Sequence, residues 1–308
     1  MKVMPLITLF SAPKPFTNPH IALIQRNAIR SWTRLSEVEI ILLGEETGLP
    51  EAARDLAVQH LPNVARNESG TPLISSMFQL ARDASERSHS DLLCIINADM
   101  ILMPDFLEAA RRACSLREKF VLLSQRWDLD VTEPLDFSGE WQNRLSSMVH
   151  RQGTLHRPAG SDFFLFPKSC YTNIPNFTIG RAGWDNWMIY KARKEKWSVI
   201  DCTPSVMIVH QNHDYSHLPG GKPHYEHPDT NENIRLAGGE ANIRYTILDA
   251  THQLSADGKL VRPKLAYLRF MRGVELFLRK IFFFLPEKMI ENIARPKRWK
   301  KRIQKLFK

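Results

Sequence analysis

One short run of the chain limits its fold more than any other: Leu92–Ile96 is apolar at every position. A strand with one face in water alternates apolar and polar residues, so an unbroken apolar run predicts a strand covered on both faces. Such strands belong to parallel sheets with helices above and below. Strand-like runs and helical apolar patterns alternate over the first ~125 residues, which predicts an α/β fold with a mainly parallel sheet flanked by helices.

Polar residues follow several of these strand-like runs. Ligands of α/β sheets bind in the crevice beyond the carboxyl ends of the strands, so residues placed there are the candidates for chemistry. Further along the chain the alternation is looser: residues 163–166 and 199–209 are strand-like, and residues 185–196 have a helical pattern. Residues 210–239 are rich in His, Asn, Gly, Pro and Asp, which predicts a long binding or lid loop.

Composition suggests the cellular setting. The N-terminal apolar run is broken at once by Pro13 and Pro15, so it lacks the apolar core of a secretory signal. No stretch reaches the roughly 18 apolar residues that a membrane-spanning helix requires. The cysteines are far apart and form no CxxC pair, which favours reduced thiols and argues against a zinc site. We therefore expect a cytoplasmic protein.

Positive charge is concentrated near the C-terminus. The net charge is +9, yet residues 259–308 carry +13 and the preceding residues −4. Residues 264–285 and 296–308 combine apolar residues at helical spacing with Lys and Arg, as in helices that lie on anionic membrane surfaces. A helix packed on the rest of the protein is the alternative, and nucleic acid is not expected because no base-reading motif accompanies the charge.

These patterns predict two parts of the chain. Residues 1–255 would form the α/β domain, and residues 256–308 a basic amphipathic helical tail. A tail of this composition would place the protein peripherally at the inner face of the cell membrane.

The most informative motif is Asn97-Ala98-Asp99, directly after the buried strand. A carboxylate there can hold Mg²⁺ or Mn²⁺, which would bridge a diphosphate, although a turn or helix cap is the plain alternative for any single Asp. The strand with its Asn-x-Asp resembles the DXD motif of GT-A type glycosyltransferases (glycosyltransferase family 2-like, nucleotide-diphospho-sugar transferase superfamily). The opening strand with Ser-Ala-Pro, the segment VEIILLGEE and the block GRAGWDNW also resemble that family, and the resemblance covers roughly residues 3–250.

The resemblance implies a fold, an activity and a cofactor. The fold is the GT-A (Rossmann-like) sheet. The activity is EC 2.4-class transfer of a sugar from a nucleoside-diphosphate sugar to a glycan or lipid-linked acceptor, as in polysaccharide biosynthesis, and the cofactor is Mn²⁺ or Mg²⁺. Asn97 stands where the first Asp of the motif usually stands; it can bind ribose or a metal-bound water, but the metal would depend mainly on Asp99.

The resemblance also implies a nucleotide-sugar pocket. The loop after the first strand would contact the base, and an acidic residue after the second strand would meet base or ribose. The loop before the next helix would meet substrate oxygens with its backbone N–H groups. A solvated acidic turn is an equally good interpretation of the second position. The residues implied are Ser11, Ala12, Pro13, Glu45, Glu46 and Asn67.

A second block surrounds Asp185, which lies between two tryptophans near a predicted helix start. A partly desolvated carboxylate suits a base that takes a proton from an acceptor hydroxyl. The position resembles that of the Asp or Glu at a helix start in inverting GT-A enzymes. Trp184 would stack on a sugar. Arg181 would pair with a phosphate, with a surface arginine as the alternative. Asp162 would bind donor or acceptor hydroxyls, and a loop or turn role accounts for it equally well. The structural alternative for Asp185 is a helix cap between core tryptophans.

The third block is the histidine-rich segment from residue 210 to residue 217. Some metal-dependent GT-A enzymes supply a late histidine as a second metal ligand. His210 closes an apolar strand-like run and is the first candidate, and His213 is the second. The segment is not helical in pattern, so a zinc site of helical geometry has no support. Asp128 and Asp130 are weaker candidates for hydroxyl contacts, and local turn roles account for them equally well.

Two other functions stay open on the sequence. A sugar-phosphate nucleotidyltransferase can share this sheet, but such enzymes usually carry a Gly-rich signature where this chain has Ser-Ala-Pro-Lys-Pro. A non-catalytic protein that binds a nucleotide or glycan at a membrane surface agrees with the replacement at Asn97. The donor sugar, the acceptor and the inverting or retaining course are not fixed by these residues.

Overall fold

The structure of the chain is a computed structural model that describes residues 6–213, 227–264 and 267–281. Its strands are β1 (Ile7–Ser11), β2 (Val38–Leu43), β3 (Gln59–Leu61), β4 (Leu92–Ile96), β5 (Met100–Ile101), β6 (Phe120–Leu123), β7 (Trp127–Leu129), β8 (Thr154–Leu155), β9 (Phe163–Pro167), β10 (Ser198–Asp201), β11 (Val209–Gln211), β12 (His252–Leu254) and β13 (Leu260–Val261). Its helices are α1 (Pro19–Trp32), α2 (Leu49–Asp55), α3 (Ile74–Ser88), α4 (Pro104–Leu116), α5 (Trp141–Gln152), α6 (Trp184–Lys194), α7 (Pro228–Leu236) and α8 (Tyr267–Ile281).

A nine-stranded sheet in the order β13-β12-β10-β6-β9-β4-β1-β2-β3 forms the centre of the fold. The strands β3, β2, β1 and β4 pair in parallel, and so do β6, β10 and β12. Only β9, between β4 and β6, and the edge strand β13 pair with their neighbours in antiparallel fashion. The predicted α/β fold with a mainly parallel sheet is confirmed.

The antiparallel strand β9 decides which residues meet at the sheet edge. Ile96, the last residue of β4, pairs with Phe163, the first residue of β9. Residues that follow β4 and residues that precede β9 therefore lie side by side. The loop after β1 reaches the same edge, because β1 and β4 run parallel.

Helices cover both faces of this sheet. Successive side chains of a strand point to opposite faces, and β1 follows this rule: Leu9 belongs to one buried cluster and Phe10 to another. The first cluster includes residues of α1, α2 and α4, and the second includes residues of α3 and α6. Burial on both faces explains why β4 has no polar residue.

A second sheet, in the order β5-β11-β7-β8, was not predicted from the sequence. Its strands have two or three residues each, too few for a period to be recognised. It shares a small core with α5, which includes Trp141 and Val149. The strand β11 pairs with both β5 and β7, so His210 lies opposite Met100 on one side and Asp128 on the other.

Three predicted details differ from the structure. The strand-like residues 199–209 are two separate strands, β10 and β11, because Thr203 and Ser205 lie in a turn between them. Met103, not Asp105, is the N-cap residue of α4; the Asp105 carboxylate accepts a hydrogen bond from the backbone N–H of Met207 at 2.8 Å. The predicted loop 210–239 contains α7, and its residues 214–226 lie outside the described part of the chain.

The chain divides into two compact units, with the boundary between Val261 and Arg262. The predicted division after residue 255 stays a prediction, although the β12–β13 hairpin continues the large sheet to Val261. The second unit contains α8, on which Phe270, Phe277 and Ile281 are 53%, 62% and 46% exposed. None of the helices in the described ranges is long and apolar enough to cross a membrane.

Candidate active site

A candidate metal site lies where β4 and β11 end. Oδ2 of Asp99 is 3.1 Å from Nε2 of His213 and 3.9 Å from Nε2 of His210. Potential ligand atoms of the three residues all lie within 4.8 Å of one another. The backbone holds this arrangement, because the carbonyl of Asp99 accepts hydrogen bonds from the N–H and the side-chain amide of Gln211.

The side chains at this site fit a divalent metal. Oδ1 of Asp99 is buried and has no hydrogen-bond partner among the described residues, which is costly for a carboxylate oxygen unless a ligand meets it. Carboxylate oxygen is a ligand for Mg²⁺ and Mn²⁺, and imidazole nitrogen is a common ligand for transition metals.

Asp128 orients one of the two histidines. Its Oδ1 lies 3.2 Å from Nδ1 of His210, so Nε2 of that ring faces Asp99. The distance is that of a hydrogen bond, but Nδ1 is not aligned to donate one in this conformation. A carboxylate behind a metal-binding imidazole fixes its tautomer and raises its basicity.

The charges at the site favour the ligand forms of these side chains. Burial opposes ionisation of Asp99, but the hydrogen bond with His213 and the charges of His210 and Lys14 outweigh it and lower the pKa of Asp99 to about 2. Burial lowers the pKa of His210, against the attraction of Asp99. Metals bind carboxylates and neutral imidazoles. Asp99 and His210 therefore favour the protonation states in which they can bind a metal cation.

Asn97 and Asp162 meet beside this cluster, as the pairing of β4 with β9 requires. Oδ1 of Asp162 accepts hydrogen bonds from Nδ2 of Asn97 at 2.9 Å and from Nη1 of Arg126 at 2.6 Å. Nε of Arg126 also donates to Oδ1 of Asp128 at 2.9 Å. Arg126 thus connects Asp162 to the carboxylate behind His210.

Asp185 lies in the first turn of α6 and is half-buried. Burial raises the pKa of Asp185, and the charge of Asp162 raises it further, while hydrogen bonds to backbone N–H groups act in the opposite direction. A carboxylate of raised pKa is a better base for a hydroxyl proton than an ordinary one. Trp184 packs against Phe164 in the core, with ring centroids 5.9 Å apart, and is also half-buried.

Two other predicted residues meet at the start of α7. Nδ2 of Asn67 donates to Oδ1 of Asp229 at 3.1 Å, and Nε of Arg181 lies 3.7 Å from Oδ2 of Asp229. Within the described ranges, the Arg181 Nε is buried without a hydrogen bond. The carboxylate of Asp229 thus connects α7 to the loop after β3 and to the loop before α6.

The two glutamates after β2, Glu45 and Glu46, lie in different environments. Glu45 is exposed, whereas Glu46 pairs with Arg66 through Oε1 at 3.1 Å. Oε2 of Glu46 is buried without a partner. It lies over Gly44, where a Cβ would come within 2.2 Å of that oxygen. An unused acceptor of this kind suits a ribose hydroxyl or a base N–H.

The loop after β1 is fixed to the strands around it. Ser11 is buried, and its hydroxyl donates to the carbonyl of Ile96 at 2.7 Å. Ala12 is half-buried, and Pro13 is buried. The side chain of Ser11 therefore holds β1 to β4, and contact with a nucleotide base at these three residues stays a prediction.

The sequence did not reveal every residue of this site. Lys14, Arg126 and His156 carry no motif, and they come near the cluster only through the second sheet and the β1 loop. Asp229 lies on a helix that buries polar rather than apolar residues, which gives no amphipathic signal. The pairing of His213 with Asp99 depends on β11, which was predicted as one continuous strand with β10.

No protein-family model matches the chain, and comparison with curated proteins found no match. The chain is similar to the solved structure of S. aureus TarS in complex with UDP-GlcNAc, with 12% identity and a TM-score of 0.48 over 75% of this chain and 65% of that one. It is similar to glucosyl-3-phosphoglycerate synthase from Mycobacterium tuberculosis in complex with Mg²⁺ and UDP, with 14% identity and a TM-score of 0.43 over 70% and 74% of the two chains.

A mannosyltransferase from Pyrobaculum calidifontis in complex with GDP-Man and Mn²⁺ is similar at 13% identity, with a TM-score of 0.44 over 76% of this chain and 63% of that one. The chain thus spans less than two thirds of the first and third of these proteins. All three are bound to a nucleotide sugar or a nucleoside diphosphate, the ligand class that the sequence resemblance names. At these identities and scores the similarity assigns no residue a role.

Proposed function

We propose that this protein transfers a sugar from a nucleoside-diphosphate sugar to an acceptor hydroxyl, in a reaction that requires a divalent metal. One observation supports this most: a polar network leads from a candidate metal site to Asp162, whose charge acts on a half-buried carboxylate of raised pKa. The network runs from Asp99 and His210 through Asp128 and Arg126 to Asp162, whose charge acts on Asp185.

Each part of this network has a role in the proposed reaction. Asp99, His210 and His213 would hold the metal, which when bound neutralises charge on the diphosphate. Asp185 would accept the proton of the acceptor hydroxyl as the acceptor oxygen forms its bond to the sugar carbon. The bond between that carbon and the diphosphate oxygen breaks, and its electron pair stays on the diphosphate. A base placed in this way favours inversion at the sugar carbon.

The arrangement of Asn97 supports an enzyme over a binding protein without turnover. The non-catalytic interpretation depends on Asn97 as a lost metal ligand. Nδ2 of Asn97 instead donates to Asp162, a contact that an aspartate could not make, while two histidines complete the donor set around Asp99. The replacement is therefore compatible with an intact metal site.

Thermal unfolding of the purified protein would test this function. Nucleoside diphosphates and nucleotide sugars would be added one at a time, with and without Mn²⁺. A ligand at ~100 times its Kd adds about 2.7 kcal/mol to the free energy of unfolding, enough to raise the melting temperature. We expect a metal-dependent increase with one nucleotide that Asp99→Ala abolishes and that Glu133→Ala, at an exposed carboxylate, retains.

Turnover would separate an enzyme from a binding protein. With the donor identified by unfolding, hydrolysis or transfer of the nucleotide sugar is measured for the parent and for Asp185→Asn. The variant should bind the donor normally and lose turnover by about 10²-fold or more, since general base catalysis contributes that much. If the parent binds the donor but shows no turnover, the proposal that the protein is an enzyme is wrong.

We also propose that the second unit attaches the protein to an anionic membrane, where a lipid-linked acceptor would be found. Phe270, Phe277 and Ile281 are spaced by seven and four residues, so they form one exposed apolar stripe on α8. The chain after residue 281 adds a strongly basic sequence. Apolar stripes combined with basic residues bind anionic lipid surfaces.

Sedimentation with liposomes would test this attachment. Phe277→Ser and Phe270→Ser should weaken binding to anionic vesicles, while Leu116→Ser, at another exposed apolar residue, should not. Binding of the parent should fall as salt is raised, because the electrostatic part is screened. Equal sedimentation of the parent with anionic and neutral vesicles, or no sedimentation, would exclude the proposal.

A further inference from the structure

We infer that Lys14 is a diphosphate-binding residue that acts beside the metal, an inference that rests on the proposed function. Lys14 follows the Ser-Ala-Pro loop of β1. Its Nζ lies 3.3 Å from Nε2 of His213, and its charge acts on Asp99. The ammonium group is thus inside the candidate metal site rather than on the outer surface.

The backbone of Lys14 is held independently of its side chain. Its N–H donates to Oε1 of Gln25 at 2.6 Å, and its carbonyl accepts from Nε2 of Gln25 at 3.0 Å. Gln25 belongs to α1 and is only 2% exposed. Because a buried amide fixes both backbone groups, the long side chain starts from a defined point and reaches the cluster with little freedom.

The donor atoms of Lys14 are available for a ligand when the metal site is filled. An ammonium group has three N–H donors, and among the described residues Lys14 contacts Nε2 of His213, which accepts from Lys14 only in the tautomer that does not donate to Asp99. That nitrogen has one lone pair, which cannot serve a metal and Lys14 at once. A metal on His213 would therefore leave all three donors of Lys14 to an incoming anion.

The charges next to the metal site favour a diphosphate as this anion. Among the proposed ligands alone, with neutral histidines, a divalent metal on Asp99 leaves one net positive charge, whereas the diphosphate of a nucleotide sugar carries two negative charges. Lys14 supplies the second positive charge. The diphosphate becomes more negative as the sugar leaves, so a fixed ammonium stabilises the leaving group more than the donor.

Binding of Mn²⁺ alone, and of inorganic diphosphate in the presence of Mn²⁺, would test the inference by calorimetry. Lys14→Ala keeps the backbone bonds to Gln25, so it should fold and bind Mn²⁺ at least as well as the parent. Its affinity for diphosphate should fall by about tenfold or more, the effect of losing a charge-assisted hydrogen bond. Lys14→Arg should restore part of it, and Lys119→Ala, which removes the same charge at an exposed turn, should have no effect.

The results separate this inference from the function on which it rests. If the parent binds Mn²⁺ and diphosphate and Lys14→Ala binds both equally well, the role of Lys14 is wrong and the function stands. If Lys14→Ala loses Mn²⁺ as well, Lys14 builds the metal site and does not bind diphosphate. If the parent binds no diphosphate with Mn²⁺, both the function and the inference fail.

Discussion

Arg126 shows how single residues join the two ends of the site. Its guanidinium donates to Asp128 through Nε and to Asp162 through Nη1. Asp128 stands behind His210, and the charge of Asp162 raises the pKa of Asp185. A planar group with donors in fixed directions can hold two carboxylates in a set relation, which a lysine could not do.

Asp128 gives a prediction about metal affinity. In Asp128→Asn the ring of His210 loses the carboxylate that increases its basicity. The affinity for Mn²⁺ should therefore fall by about 10- to 100-fold, as for other carboxylates behind metal-binding histidines. Titration of Mn²⁺ by calorimetry measures this. Glu133→Gln is the matched control, because it removes one exposed carboxylate five residues away. Equal affinity in both variants would contradict the role of Asp128.

Asp162 gives a prediction about pH. A base must be ionised, so turnover should fall as the pH falls through the pKa of Asp185, which burial and Asp162 place above its ordinary value. Asp162→Asn removes one of these causes. The acid limb of kcat/KM should then move to lower pH, even if the maximum rate is reduced. A limb that stays in place would show that Asp162 does not act on the base.

The site was predictable from the sequence in its parts but not in its connections. Asp99, Asp162, Asp185 and His210 each follow or precede a predicted element, which is why they could be proposed. Their partners Arg126 and Asp128 depend on the register of β7 with β11, and strands of three residues carry no periodic signal. Lys14 lies near His213 in space but 199 residues away in sequence.

At the scale of elements, the carboxylate of Asp105 connects α4 to the segment before β11. Its Oδ2 accepts a hydrogen bond from the N–H of Met207, whereas its Oδ1 is buried without a partner in the part of the chain that the structure describes. Burial raises the pKa of Asp105 to about 6, although hydrogen bonds from Met207 and Phe106 oppose the shift. The folded protein therefore holds this proton at a pH where the unfolded chain, with a pKa of 3.8, has lost it.

The free energy of unfolding should accordingly depend on pH in one direction. Between about pH 4 and pH 6 the folded state binds the extra proton, so stability falls as the pH rises through this range. Asp105→Asn has no carboxyl group to titrate at this position, so it should not lose this stability as the pH rises. Its free energy of unfolding at pH 7 should exceed that of the parent by about 1 to 3 kcal/mol. Urea unfolding at pH 4.5 and pH 7, with Glu118→Gln as the exposed control just beyond the same helix, measures it. If the free energy of unfolding changes with pH equally in the parent and in Asp105→Asn, the proton on Asp105 is not the cause of the pH dependence.

Long elements were predicted well because their burial is regular. The apolar face of α1 and the unbroken run of β4 are each fixed by contact with one large core. Short or polar elements were missed: α7 buries Asp229, Thr230 and Asn233, and Asn233 bonds to the backbone and hydroxyl of Thr178. Hydrogen bonding, rather than apolar periodicity, fixes such a helix.

At the scale of the whole molecule, the end of the first unit can be tested by truncation. A chain ending at residue 263 keeps the β12–β13 hairpin, whereas a chain ending at residue 255 loses β13 and uncovers Leu254, which is 1% exposed. The shorter chain should be less stable by about 1 to 3 kcal/mol, from the apolar area left uncovered. Urea unfolding of both chains measures the difference. Equal midpoints would place the boundary at residue 255.

The contact between Asn97 and Asp162 constrains how this protein can change over evolutionary time. An aspartate at position 97 would place two carboxylates 2.9 Å apart, so the common form of the motif cannot return by a single substitution. It can return if position 162 becomes an amide in the same lineage. Descendants of this chain should therefore carry an acid at one of the two positions and an amide at the other, and pairs with two acids should be rare.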